Sequence, residues 1–166
     1  MPIKAISYEQ SFVDQLRHAG VDAYGNAPER QISDGGGNPC RSCLHDIPKG
    51  EEMLVVSACP FPEPQPYAET GPVFFCADDC TPWQGAGLPP VLNGRADALI
   101  KGYGADHRIL YGTGDIVPVP QIAATCETLF DTPDVAFIDL RSSKNNCFTF
   151  RILRDSSSDN TPQRLR

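Results

Sequence analysis

The chain has 166 residues, a formal net charge of −7 and a sequence pI near 4.8, a field that opposes phosphate backbones and argues against nucleic acid as a partner. Its length suits one domain. Hydrophobic residues at 40% support a buried core, while 16 prolines and 14 glycines point to many turns and few long helices.

Ser7 and Gln10 have capping-box spacing, Tyr8, Phe12, Val13 and Leu16 recur at helical intervals, and Gly20 supplies a left-handed stop. These residues predict a short amphipathic helix, with His18 near its end, where a cation suits the helix dipole. From Asn26 to Pro39 the chain is polar and glycine-rich and reads as an irregular connection. Met53 to Ala58 reads as a buried strand. Prolines 60, 62, 64 and 66 then remove alternate backbone donors and force an extended crossing. That crossing is either a surface loop packed on its own Phe61 and Tyr67 or a proline motif for a partner domain. Strand character resumes from Pro72 to Phe75.

Ala98 to Tyr103 and Arg108 to Tyr111 read as strands joined by the turn Gly104-Ala105-Asp106-His107. The stretch Gly112-Thr113-Gly114-Asp115 looks like a phosphate-cradling loop, but it lacks the following Gly-Lys-Ser/Thr and opens a valine-rich strand, so it reads as a turn. Pro120 begins a second helix with Ile122, Cys126, Leu129 and Phe130 on one stripe, which makes Cys126 a core residue. Val135 to Leu140 and Cys147 to Leu153 flank a polar turn as a closing hairpin, with Phe148, Phe150 and Ile152 on one face and Cys147, Thr149 and Arg151 on the other. The expected architecture is α+β: a single domain over residues 1–154, built on a twisted, mainly antiparallel sheet with two short helices and long Pro/Gly-rich loops, then a flexible tail over residues 155–166 with nothing to bury.

No apolar run approaches the roughly 18 residues of a membrane helix. The opening MPIKAISYEQSFVDQL lacks the apolar stretch and cleavage site of a signal peptide, so a cytoplasmic protein with no membrane partner is expected. Its seven cysteines then read as reduced thiols or metal ligands rather than a disulfide framework. Cys40-x2-Cys43 has the spacing of a zinc knuckle, and Cys76 and Cys80 offer a second half. The 32 intervening residues suffice to form a strand and return. Four thiolates would close a structural zinc site with no position for water or substrate. His45 could replace a second-pair cysteine or hydrogen-bond to a thiolate, and Asp78 and Asp79 would repel the anionic site unless they face solvent. Redox use of Cys40 and Cys43 remains an alternative. It requires a helix N-terminus after Cys40, and the nearby Pro48, Gly50, Glu51 and Glu52 argue against one.

A further alternative is an enzyme or small-anion-binding protein. His107, Arg108, Tyr111, Arg141, Arg151 and Tyr67 would line a pocket suited to a carboxylate or phosphate, or else lie at solvated strand ends. No nucleophile-elbow motif or zinc-protease helix names a reaction.

The blocks GGGNPCRSCLHDIPKGEEMLVVSACPF, PYAETGPVFFCADDC, KGYGADHRILYGTGDIV and DLRSSKNNCFTFRILR, in that order over about residues 35 to 154, resemble the uncharacterised bacterial family called domain of unknown function 1203. The resemblance implies no activity. It implies a ligand set in which the position of Cys76 is often histidine, an exchange that keeps a zinc ligand and would not keep a disulfide. The leading expectation is therefore a protein with a structural zinc site at Cys40, Cys43, Cys76 and Cys80 and an unassigned binding role.

Overall fold

A computed structural model describes residues 3–155 and Leu165. In chain order the elements are β1 (Ile3–Ile6), α1 (Gln10–Arg17), β2 (Glu29–Ile32), β3 (Glu52–Ala58), β4 (Gly71–Cys76), β5 (Asp97–Tyr103), β6 (Asp115–Pro118), α2 (Ile122–Phe130), β7 (Phe137–Arg141) and β8 (Phe148–Arg154). The fold is α+β, and its antiparallel strands are divided between two sheets rather than gathered into one. Each sheet belongs to its own compact unit: residues 7–83 with Leu165 form one, and residues 3–6 with 84–155 form the other.

The first unit holds the sheet β2-β3-β4. Register sets Leu54 against Phe75 and Val56 against Val73, and all four side chains are buried. Such cross-strand apolar pairs are the unit of sheet stabilisation. On this side α1 buries Val13 and Leu16, and Tyr8, Phe12 and Phe75 form an aromatic cluster with ring centroids 5.3, 5.6 and 6.2 Å apart. Burying each such ring contributes about 1.5–3 kcal/mol. The helix is shorter than its pattern suggests, because the capping box does not form: the Ser7 hydroxyl turns to the Tyr8 carbonyl and Gln10 donates to Asp14. At its other end Ala19, at φ +80°, takes the left-handed position expected of Gly20. Gly20 is needed for a different reason, since a Cβ there would lie 2.4 Å from the Gln15 carbonyl oxygen.

β2 falls inside the stretch expected to be irregular. All four of its residues are exposed, so no alternation marks it, and it exists through its ladder to β3. Leu165 is buried beside this unit's helix entry. It bridges Tyr8, and its carbonyl accepts from the Glu9 amide at 2.9 Å. The rest of the expected flexible tail, residues 156–164 and 166, lies outside the described residues.

The second unit holds the sheet β1-β8-β7-β5-β6. The closing hairpin β7–β8 forms with a bulge between Leu140 and Arg141, and α2 buries Ile122, Cys126 and Phe130. The segment expected as a strand at Arg108 to Tyr111 supplies only a bridge from Ile109 to Tyr103, and the strands that pair with β5 are β6 and β7. The turn explains this: the His107 amide donates to Gly104 and the Gly104 amide to Arg108, with His107 itself at φ +61°. Across β7 and β8 the buried Asp139 faces Arg151 in a two-point pair of 2.6 and 3.0 Å.

Candidate metal centre

The loop carrying the first cysteine pair is closed by its own backbone. The Ile47 amide donates to Asn38, Cys40 to His45, and Leu44 to Cys40. The reversal requires Leu44 to adopt φ +54°, a conformation unfavourable for a branched side chain, and complete burial of that side chain holds it there. Cys40 also bridges Phe74 in parallel, and the Arg41 amide donates to the Phe74 carbonyl. The loop is thereby laid along β4, the strand that ends at Cys76. Cys80 follows four residues later in the chain.

These placements bring Cys40, Cys43, Cys76 and Cys80 together, with every sulfur within 4.8 Å of the others. Cys40 and Cys80 are 3.9 Å apart. A tetrahedral zinc site with bonds of about 2.3 Å has sulfur–sulfur edges of about 3.8 Å, so the set fits a single ion with small adjustments. All four are free thiols. Two backbone amides, of Ser42 and Cys76, donate to the Cys40 sulfur at 3.4 Å, as amides around thiolate ligands do. His45 is exposed, with Nδ1 3.0 Å from the Cys43 carbonyl, and stands outside the set. Asp78 and Asp79 face solvent, the orientation that minimises their repulsion.

Crowding makes the thiols ionise as one group. Cys40 is pulled down to about 7, first by its hydrogen bond with the Cys43 thiol. Cys80 is held well below the ordinary thiol range by bonds from Cys40, then Cys43 and Cys76, with Arg17 adding to them. Cys43 and Cys76 are pushed up, each chiefly through Cys40. The first protons leave easily and the last are retained, so four thiolates together need a cation among them. Arg17, from the last turn of α1, approaches from outside the set. Its guanidinium donates to the Cys80 sulfur at 3.3 Å and to the Cys76 carbonyl at 3.1 and 3.2 Å. Nothing in the sequence separates this residue from any other arginine near a helix C-terminus.

No helix follows Cys40, because the chain turns back through Leu44 and runs without a helix to β3. The helix N-terminus that a redox reading of Cys40 requires is therefore missing.

The second group of candidate residues is distributed differently. His107 and Arg151 both pack on Phe137, at 5.5 and 3.7 Å from the ring centre, with Tyr103 stacked on the same ring at 5.0 Å. The Arg151 guanidinium makes its two-point pair with Asp139. Arg141 is buried and donates to the Asn146 carbonyl. Arg108 and Tyr111 are exposed, and half-buried Tyr67 belongs to the unit of residues 7–83. Among the described residues, no helix is long and apolar enough to cross a membrane.

Residues 37–154 match the family model described as "Protein of unknown function (DUF1203)". Neither the curated proteins nor the solved structures contain a match to the chain.

Proposed function

Because the chain belongs to the DUF1203 family, proteins of unknown function, we propose a role from the geometry itself: the four cysteines hold one structural zinc ion that clips the loop of residues 38–47 to the end of β4. The observation that carries this reading is the convergence of all four sulfurs within 4.8 Å. The choice of zinc follows from an all-thiolate tetrahedral set of two short-spaced pairs. Such a set fills the ion's coordination, leaving no position on the metal for water or substrate. The ion's work is then to stabilise the fold, and the protein acts as a binding module whose loops the ion holds in place. Bound zinc would also supply the cation that four neighbouring thiolates require.

Elemental analysis of purified protein tests the reading. About one zinc per chain is expected, falling well below that in Cys40→Ser and Cys80→Ser and staying near one in Cys126→Ser, whose sulfur lies in α2. Cobalt substitution should give the absorption of a tetrahedral thiolate centre. Protein purified under reducing conditions that carries no metal, together with four freely alkylated thiols in the native state, would overturn it.

A further inference from the structure

Arg17 is an unusual companion for a sulfur cluster. Its side chain is 3% exposed, so its charge has left water and needs compensation close by. The carboxylates within reach compensate poorly: Asp14 and Asp79 each stand 3.5 Å away, with side chains 44% and 91% exposed, and solvent screens pairs of that kind. The closer contacts are the Cys80 sulfur and the Cys76 carbonyl. A neutral thiol is a weak acceptor, whereas a thiolate is a charged one. A zinc ion with four thiolates carries a formal charge of about −2, and a buried guanidinium touching one of its sulfurs offsets part of it.

The same side chain belongs to α1, which otherwise rests on its sheet through Val13, Leu16 and Phe12. A relay of contacts runs back along the helix, from Arg17 to Asp14 and from Asp14 to Gln10, whose amide donates to the same carboxylate oxygen at 2.6 Å. We infer that Arg17 is a positioning residue for the metal centre, coupling metal loading to the docking of α1 through its contacts with the Cys80 sulfur and the Cys76 carbonyl. The inference rests on the metal reading above and extends it to a helix that contributes no ligand. When the ion is bound, the sulfur cluster holds the guanidinium and the last turn of α1 is fixed. When the ion is removed, nothing ties Cys76 and Cys80 to the other two sulfurs, the acceptors of Arg17 are no longer fixed in place, and that turn loosens. Coupling is reciprocal, so loosening α1 weakens metal binding by the same factor.

The test uses the full chain as wild type, Arg17→Gln and Arg17→Lys. Cobalt(II) is titrated against a competing chelator, and hydrogen exchange of the α1 amides is followed with and without metal. Arg17→Gln should bind cobalt about ten- to a hundredfold more weakly, the range for loss of a ligand's hydrogen-bond partner, while keeping the thiolate absorption. Arg17→Lys retains the positive charge and should recover most of the affinity. Stripping the metal should speed exchange in α1 of the wild type and leave Arg17→Gln unchanged. Wild-type affinity in Arg17→Gln with thiolate absorption intact would overturn the coupling and leave the metal site standing. Absence of thiolate absorption in the wild type would instead bring down the metal reading, and the role of Arg17 with it. If Arg17→Gln does not fold, exchange in the wild type decides, because α1 amides indifferent to metal removal overturn the coupling by themselves.

Discussion

Cys40 and Cys126 are both fully buried, yet their surroundings drive them in opposite directions. Cys40 is lowered by hydrogen bonds from neighbouring thiols, whereas burial pushes the Cys126 thiol up to about 12, with Glu127 adding repulsion. A thiol whose folded pKa exceeds its unfolded value favours the folded state through its neutral form. That contribution is intact below about 9 and is lost as pH rises towards 12, since the unfolded chain gives up the proton first. Urea unfolding of wild type and Cys126→Ala should therefore show the wild type losing more stability from about pH 9 to 11; parallel curves would contradict this. The role of Cys126 was legible from helical periodicity alone, and the two cysteine pairs were legible from their spacing. Arg17 was not, because its meaning lies in a contact to Cys80, 63 positions away. Arg151 reads in the sequence as an outward strand residue available to a ligand, and the invisible part is Asp139, which meets it only through the β7–β8 register.

Elements were legible where the chain's own chemistry sufficed. β3, β4 and β5 are apolar and β-branched runs bounded by turn residues, and α2 follows a proline start. β1 and β2 have four residues each and little pattern of their own, so pairing with β8 and β3 creates them. The end of α1 shows the limit of residue preferences, since the alanine is left-handed and the glycine is crowded. Gly20→Ala should cost about 1–3 kcal/mol through the clash with the Gln15 carbonyl, and Ala19→Gly should gain about 1 kcal/mol by relieving its φ. Chemical denaturation of the two variants measures both signs. In the five-stranded sheet, Asp139→Asn strips the charge from the fully buried carboxylate that Arg151 meets at two points, at a cost of about 3–5 kcal/mol. A denaturation midpoint within error of wild type would show that the pair is not needed.

At the scale of the whole molecule, the described chain starts in one unit, builds the other through Trp83, returns to the first, and places Leu165 back in the second. Such a path joins residues far apart in sequence: β1 pairs with β8, and Leu165 makes an isolated bridge to Tyr8. No local pattern announces pairings of that range, which is why one sheet was expected where two are found. The expectation of a tail with nothing to bury misses Leu165, which is 2% exposed. Leu165→Ala should lower stability by about 2–5 kcal/mol, the range for truncating a buried leucine. A change below about 0.5 kcal/mol, typical of surface positions, would mean that the contact contributes little.

The two halves of the cysteine set differ in how they come into being. The loop of residues 38–47 is closed by bonds between near neighbours in the chain, whereas Cys76 and Cys80 arrive only after β3 and β4 have paired across the proline-rich connection. Local contacts form fast and distant ones wait on loop closure. An ion meeting the nascent chain would encounter two sulfurs first and be enclosed by the other two later, so the rate of its capture would be set by the zipping of a hairpin rather than by diffusion.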